Sequence, residues 1–417
     1  MNGRSEKKKQ SFGNVLLTVL SFAQFFAAGI VLAMCADKVA PEDDMMFVFG
    51  AGMIIIAFLL CTVIHEGGHL LGGLLSGYKF ACFRIFSLSF SRKKDGKIHM
   101  GSITTPGMGG QCLMSPPELK DGKLPFKLYH AGGFLLNLVV GVMFTAAALH
   151  LGKEQYIITV VWGMEFTSPA PVSPLRVMAE LACWMMAIMN LCSALVNGIP
   201  LRTNLISNDG RNMIDLSRSA DALRRHWADM KIAAGIWQDD RLKDMPEEWF
   251  AVPSDEELRE NPMHAGTAVM YYSRLMDEAG ENEQRMAEAK ALSDRLLSDG
   301  VQLAGLHRAM LRMDRAFMEM LVDTPLEMVR REQISEWLDA PTRQIMKAMK
   351  KSITVLRIEY ANALLIEKDA QKAEKVKAAF EKRLRKYPVL TDAESEKSLM
   401  KLVEQTHERR QAQEKAE

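Results

Sequence analysis

Four stretches of the 417-residue chain contain no Asp, Glu, Lys, Arg or His over about the roughly 20 residues that a helix needs to cross a bilayer. They are residues 10–36, 45–64, 131–149 and 181–201. Their lack of charge excludes a purely soluble protein. Net charge is also missing. The 52 basic and 51 acidic residues leave +1, so there is no broad basic field for nucleic acid. No CxxC pair occurs among Cys35, Cys61, Cys82, Cys112, Cys183 and Cys192, which read as small apolar packing residues in a reducing setting. The first apolar stretch follows a basic start at Arg4, Lys7, Lys8 and Lys9, as in a signal peptide. It is long for that role, and no small-x-small cleavage site precedes Asp37, so it reads as a retained span. A fifth apolar patch, residues 156–164, is too short to cross and is expected at the interface.

The charge that the first half lacks is concentrated in the second. Of the charged residues, 71 lie from Arg218 onward and 32 before it. Lys and Arg are frequent in the N-terminal tail and in the loop over residues 77–127, and sparse in the other two loops. That bias predicts a multi-pass cell-membrane protein with both termini in the cytoplasm. The compact architecture points to a bacterial origin.

The second apolar stretch ends in His65-Glu66-Gly67-Gly68-His69. On a helix, positions i and i+4 share a face, so both imidazoles can bind one zinc ion. Glu66 sits one step round, where it can hold and deprotonate a zinc-bound water. Ionisable groups directly after a long apolar run are costly in a membrane and usually functional. Gly67, Gly68, Gly72, Gly73 and Gly77 allow close helix contact or approach of an unwound substrate. Two histidines leave zinc short of one protein ligand. Asp209 is the candidate, in the turn-forming pair Asp209-Gly210 beyond the helix breaker Pro200. An ordinary surface turn is the plainer alternative there, and Asn204, Asn208 and Asp215 lie nearby.

Taken together, HEGGH at a span end, Ala131-Gly132-Gly133-x-x-x-Asn137 opening the next span, and Asn197-Gly198-Ile199-Pro200 followed by Asn208-Asp209-Gly210 resemble the site-2 protease family of intramembrane zinc metalloproteases. The three motifs occur in that family's order and cover about residues 45–215. The resemblance implies that His65, His69 and Asp209 hold zinc, that Glu66 is the catalytic base, and that Asn137 positions the substrate. Asn197 is either a substrate contact or a helix-end hydrogen bonder. Gly133 stands where many members have proline, and the nine residues from Pro200 to Asp209 exceed the compact form of the motif.

Between the second and third spans, residues 83–90 and 97–103 alternate in part around Asp95-Gly96, which predicts a small β-hairpin. From about residue 216 apolar residues recur at helical spacing over 220–237, 264–277, 284–297, 303–321, 353–365 and 370–384. Antiparallel helical hairpins of tetratricopeptide-like form are expected, though no clean 34-residue period is present. The segment 404–417 has little apolar content and is expected to fray.

The expected fold is therefore an α-helical polytopic membrane protein of about four spans, followed by an all-α soluble domain. The divisions are 1–44, 45–217 and 218–417. The expected function is a zinc metalloendopeptidase acting on a membrane-embedded or membrane-proximal protein, with a possible protein partner at the helical domain and no nucleic acid. Two rivals remain. One is a catalytically silent membrane scaffold, against which the intact Glu66 argues. The other is a membrane-anchored gluzincin-type protease using Glu256 or Glu260.

Overall fold

The charge-free stretches fold as long helices in a computed structural model that describes residues 2–38, 45–103, 109–153, 156–161, 164–169, 173–201, 208–260, 262–303, 305–322 and 327–416. Helices α1 (Asn2–Ala36) and α2 (Met45–Leu75) come first. Strands β1 (Lys79–Ile85), β2 (Leu88–Arg92), β3 (Ile98–Ser102) and β4 (Gly110–Ser115) follow. Then come α3 (Phe126–Leu151), β5 (Tyr156–Val161), β6 (Met164–Pro169), α4 (Pro174–Gly198) and α5 (Asp209–Arg218). Four helical segments, Gly13–Ala36, Met45–Leu75, Phe126–Leu151 and Pro174–Gly198, are long and apolar enough to cross a membrane. Their outer faces leave Phe22, Phe26, Val48 and Met143 more than half exposed, as suits side chains facing lipid.

The chain divides into two compact units. One comprises residues 1–76 and 125–214, the other residues 77–124 and 215–417. In the first unit, α1, α2 and α4 share a core of Ala28, Ala57, Val177, Leu181 and Met185. Between α2 and α3 the contact is backbone to backbone. A Cβ on Gly68 would lie 2.2 Å from the carbonyl oxygen of Gly132, and one on Gly132 would lie 2.1 Å from that of Gly68. Only glycines permit this crossing, and it sets α3 directly against the HEGGH turn. Lys38 and Glu180 close α1 against the start of α4 with an ion pair of 2.7 Å.

The apolar patch at residues 156–164 is built as a strand pair. Its residues supply β5 and the start of β6, an antiparallel pair with Tyr156 opposite Pro169 and Val161 opposite Met164.

The second unit contains a four-stranded antiparallel sheet in the order β3-β2-β1-β4, so the expected hairpin is real but is half of a larger element. The turn at Asp95-Gly96 joins β2 to β3. The first predicted segment, 83–90, is broken by a second turn at Phe86, whose φ of 51° ends β1. The sheet belongs to this unit, not to a 45–217 membrane core, because its apolar face needs cover. Ala81, Cys82 and Leu113 pack against Ala234, Trp237 and Val389, and Lys93 donates to Asp239 at 2.7 Å and to the Pro388 carbonyl at 2.8 Å.

The remaining helices are α6 (Ala220–Trp237), α7 (Asp255–Glu260), α8 (Pro262–Ala279), α9 (Glu283–Leu297), α10 (Gly305–Leu321), α11 (Glu327–Trp337), α12 (Ala340–Ala348), α13 (Ile353–Ala361), α14 (Ala370–Leu384) and α15 (Leu390–Ala416). Short links join α8 to α9 and α13 to α14 as helix pairs around one core that includes Leu275, Leu296, Phe317 and Val403. Residues 404–416 are helical where fraying was expected. They continue α15, and the Arg410 guanidinium donates to the carbonyls of Met320 at 2.9 Å and Val322 at 2.8 Å, which anchors a stretch poor in apolar residues.

Candidate metal centre

The HEGGH segment lies wholly within α2, and its helical repeat turns His65 and His69 to one side. Glu66 and His69 are each 7% exposed. Asp209 arrives from another element. Pro200 follows the end of α4, and Ile199 caps that helix in an extended conformation. Asn208 then clamps the returning chain. Its side-chain amide donates to the Val196 and Ile199 carbonyls, both at 2.6 Å, and its Oδ1 accepts from the Leu201 and Arg211 backbone amides, both at 3.0 Å. Asn208 therefore caps α5, and Asp209-Gly210 begins a helix instead of forming the expected turn. Gly210 is required there, since a Cβ would stand 2.3 Å from the Gly198 carbonyl oxygen. Asn204 lies outside the described residues.

Three ligand atoms converge. His65 Nε2 and His69 Nε2 are 3.2 Å apart, and each is 3.3 Å from Asp209 Oδ2. Their protonation follows from what stands behind them. The Tyr129 carbonyl can only accept, so His69 Nδ1, 2.8 Å away, carries the hydrogen. Asn137 Nδ2 donates to Asn190 Oδ1 at 2.7 Å, which turns Asn137 Oδ1 toward His65 Nδ1 at 2.8 Å as an acceptor. With both Nδ1 atoms donating, a neutral imidazole presents a bare lone pair at Nε2. Two such lone pairs and a carboxylate oxygen then point at one another. That arrangement is repulsive unless a cation or a proton sits between them.

The spacing suits a metal ion. Ligand atoms about 2.0–2.2 Å from a tetrahedral zinc stand about 3.3–3.5 Å from one another, close to the observed triangle. Gly133 keeps the space open, because a Cβ there would come within 2.6 Å of His69 Nε2 and 2.7 Å of His65 Cε1. Among the described residues His65, His69 and Asp209 form the one cluster with metal-ligand spacing. Asp215, six residues on, is outside it, and Glu256 is exposed on α7 in the other unit.

Both asparagines have protein partners. Asn137 is fully buried, and its Oδ1 lies 2.8 Å from His65 Nδ1, so it orients that ring. Asn197 donates to the Ser193 carbonyl at 3.0 Å, as a helix-end hydrogen bonder does. Sequence reasoning missed three contributors. Asn190 fixes Asn137 and donates in turn to the Met186 carbonyl at 2.8 Å. The Tyr129 carbonyl fixes His69. The buried His130 places Nδ1 4.0 Å from Asp209 Oδ1. Asn190 carried a readable signal, since an amide in the middle of a charge-free span is costly unless it is hydrogen-bonded.

Compared with known proteins, the chain matches no family model, no curated protein and no solved structure. The functional reading therefore rests on the site and its motifs.

Proposed function

We propose that the protein is an intramembrane zinc metalloendopeptidase of the site-2 protease type. In this reading it hydrolyses a peptide bond in a membrane-embedded or membrane-proximal protein, with both termini in a bacterial cytoplasm. One observation carries it: two imidazole lone pairs and a carboxylate oxygen converge at 3.2–3.3 Å, beside a buried glutamate, on helices apolar enough to cross a membrane. Two histidines and a carboxylate leave the fourth tetrahedral position for water or substrate, the ligand set of a catalytic rather than a structural site. A zinc ion bound there would acidify water and polarise a carbonyl.

The chain's own residues supply the rest. Asn137 and the Tyr129 carbonyl lock both rings in the ligating tautomer. Glu66 is not in the ligand cluster; as general base it takes the proton of the attacking water and passes it to the leaving amine. Burial of Glu66 and His69 limits competing bulk water.

The test separates metal binding from catalysis in the full chain, purified in detergent. Glu66→Gln should keep about one zinc per chain while cleavage of membrane peptides falls on the order of 10²–10⁴-fold. His65→Ala should lose both. A Glu66→Gln protein that cleaves at the native rate would sink the assignment.

A further inference from the structure

The helical unit holds a second concavity, of about 800 Å³, formed by α10, α11, α12, α13 and α14. That volume lies within the usual range for ligand pockets. Its floor is apolar, with Met346 and Ile366 partly exposed over the buried Met320, Ile334, Leu338 and Ile358. Its rim is basic. Arg331, Arg343, Lys347, Lys350 and Lys372 line it, against a single acid, Glu359.

The bias begins in the sequence. Between Asp339 and Glu359 there is no acidic residue, although the unit elsewhere interleaves both signs. Arg343 and Lys347 are one helical turn apart on α12, and Lys350 follows in the turn after its end. All three are exposed, and none has a side-chain ion pair among the described residues. Most neighbouring cations are matched: Arg312 faces Asp339 at 3.3 Å, Lys372 faces Glu367 at 2.7 Å and Lys377 faces Glu404 at 2.7 Å. A stretch of π-helix, Asn362–Ile366, widens the chain where it meets the groove and contributes Asn362 and Ile366 to the lining. Such bulges are frequent at functional sites.

We infer that this groove binds an acidic peptide segment of a partner protein, with apolar side chains seated on the floor and carboxylates facing the rim. Charge complementarity selects the class. Unmatched cations around a recessed apolar floor suit a chain that offers both kinds of group, whereas a flat anionic membrane cannot reach the floor. The lining contains no aromatic ring on which a nucleic-acid base could stack. Backbone carbonyls of the peptide would meet Asn362 and Ser335, the neutral polar groups of the lining.

The probe is a fluorescent 12-residue peptide of mixed Glu and Leu, titrated by anisotropy against the full chain in neutral detergent. Its controls are a Lys/Leu peptide, a Glu/Ser peptide and short-chain phosphatidylserine below its micelle concentration. The Glu/Leu peptide should bind, and the Lys/Leu and Glu/Ser peptides should bind at least about tenfold more weakly, since rim charge and floor both contribute. The double substitution Lys347→Glu with Lys350→Glu should raise Kd by about tenfold or more. Lys375→Glu, on α14 but outside the lining, should leave it unchanged. All three side chains are exposed, so an unchanged circular dichroism spectrum is expected throughout. Equal binding of all peptides, insensitivity to the double substitution, or saturation by phosphatidylserine alone would overturn the proposal. The last outcome would assign the cations to a lipid headgroup.

Discussion

Two buried polar clusters, one in each unit, are built on opposite plans. In the helical unit Arg357 is 1% exposed, yet its charge is answered on two sides: Nε meets Glu396 at 2.6 Å and Nη2 meets Asp314 at 2.7 Å. The guanidinium lies 4.0 Å from the centre of the Phe317 ring, and Thr354 and Tyr272 donate to the two carboxylates. In the membrane unit the buried groups are answered only from behind. Asn137 and the Tyr129 carbonyl occupy the Nδ1 atoms, while the Nε2 atoms and the Asp209 oxygen face each other. The ion cluster answers its own charge, whereas the proposed ligand set would be completed by what it binds. Removing a group from the first should cost stability, and removing one from the second should cost binding.

Asp209→Ala gives the largest expected effect. In the proposed centre it deletes one of three converging ligands, so that reading expects zinc content to fall from about one per chain to near none, with loss of hydrolysis and with the helix content kept. Asp215→Ala should leave zinc in place, because Asp215 is outside the cluster. Metal analysis of the two variants decides between them, and the reverse outcome would show that the last motif is misaligned.

Next is Arg357→Leu. It strands two buried carboxylates and should destabilise the helical unit by about 3–5 kcal/mol, without altering zinc stoichiometry. Urea unfolding followed by helix circular dichroism measures this. An unfolding midpoint equal to the native one would mean that the cluster is already solvated.

Asn137→Ala is smaller and sharpens the comparison, because it acts through His65. Zinc affinity should weaken about 10–100-fold, with the fold kept. Asn137→Asp, which retains the acceptor, should recover part of the loss. Chelator competition reads both, and an unchanged affinity in Asn137→Ala would show that His65 is held by packing alone.

The same contrast explains what was legible in the sequence. Charge-free runs, helical periodicity and the HEGGH spacing are local signals, so the spans, α6, α8, α9 and α14, and the placement of His65 and His69 could all be read directly. The partners behind the ligands come from α3 and α4, and no pairing rule in the sequence links Asn190 to Asn137 or the Tyr129 carbonyl to His69. The sheet was half legible. The Asp95-Gly96 turn announces β2 and β3, but β1 and β4 pair across residues 86–109, a long-range choice fixed by the apolar face that Trp237 covers. The helical tail failed for a similar reason, because its anchor is one arginine reaching carbonyls almost ninety residues away.

The smallest effect concerns Asp229 on α6. Its Oδ2 accepts from Thr267 at 3.2 Å, and its Oδ1 is buried with no hydrogen-bond partner among the described residues. Burial pushes the carboxyl up to about 7, against the lowering influence of Thr267 and Arg225. Between the unfolded value near 4 and this folded value, the native state binds more protons than the unfolded one, so stability falls as pH rises through 7. Burial holds His226 down near 4, which gives the opposite slope, but only between that value and the ordinary histidine pKa near 6.5. Asp392, also pushed up to about 7 by burial and then by Glu396, Asp277 and Asp239, adds to the Asp229 trend and is unaffected by a change at residue 229. The difference between native protein and Asp229→Asn therefore isolates one group. From pH 6 to pH 8 the native protein should lose about 1 kcal/mol more stability than Asp229→Asn, which keeps a neutral side chain throughout. Amide exchange in α6 and α8, corrected for intrinsic rates, reads the difference. Parallel pH profiles for the two proteins would show that Asp229 is already ionised at neutral pH.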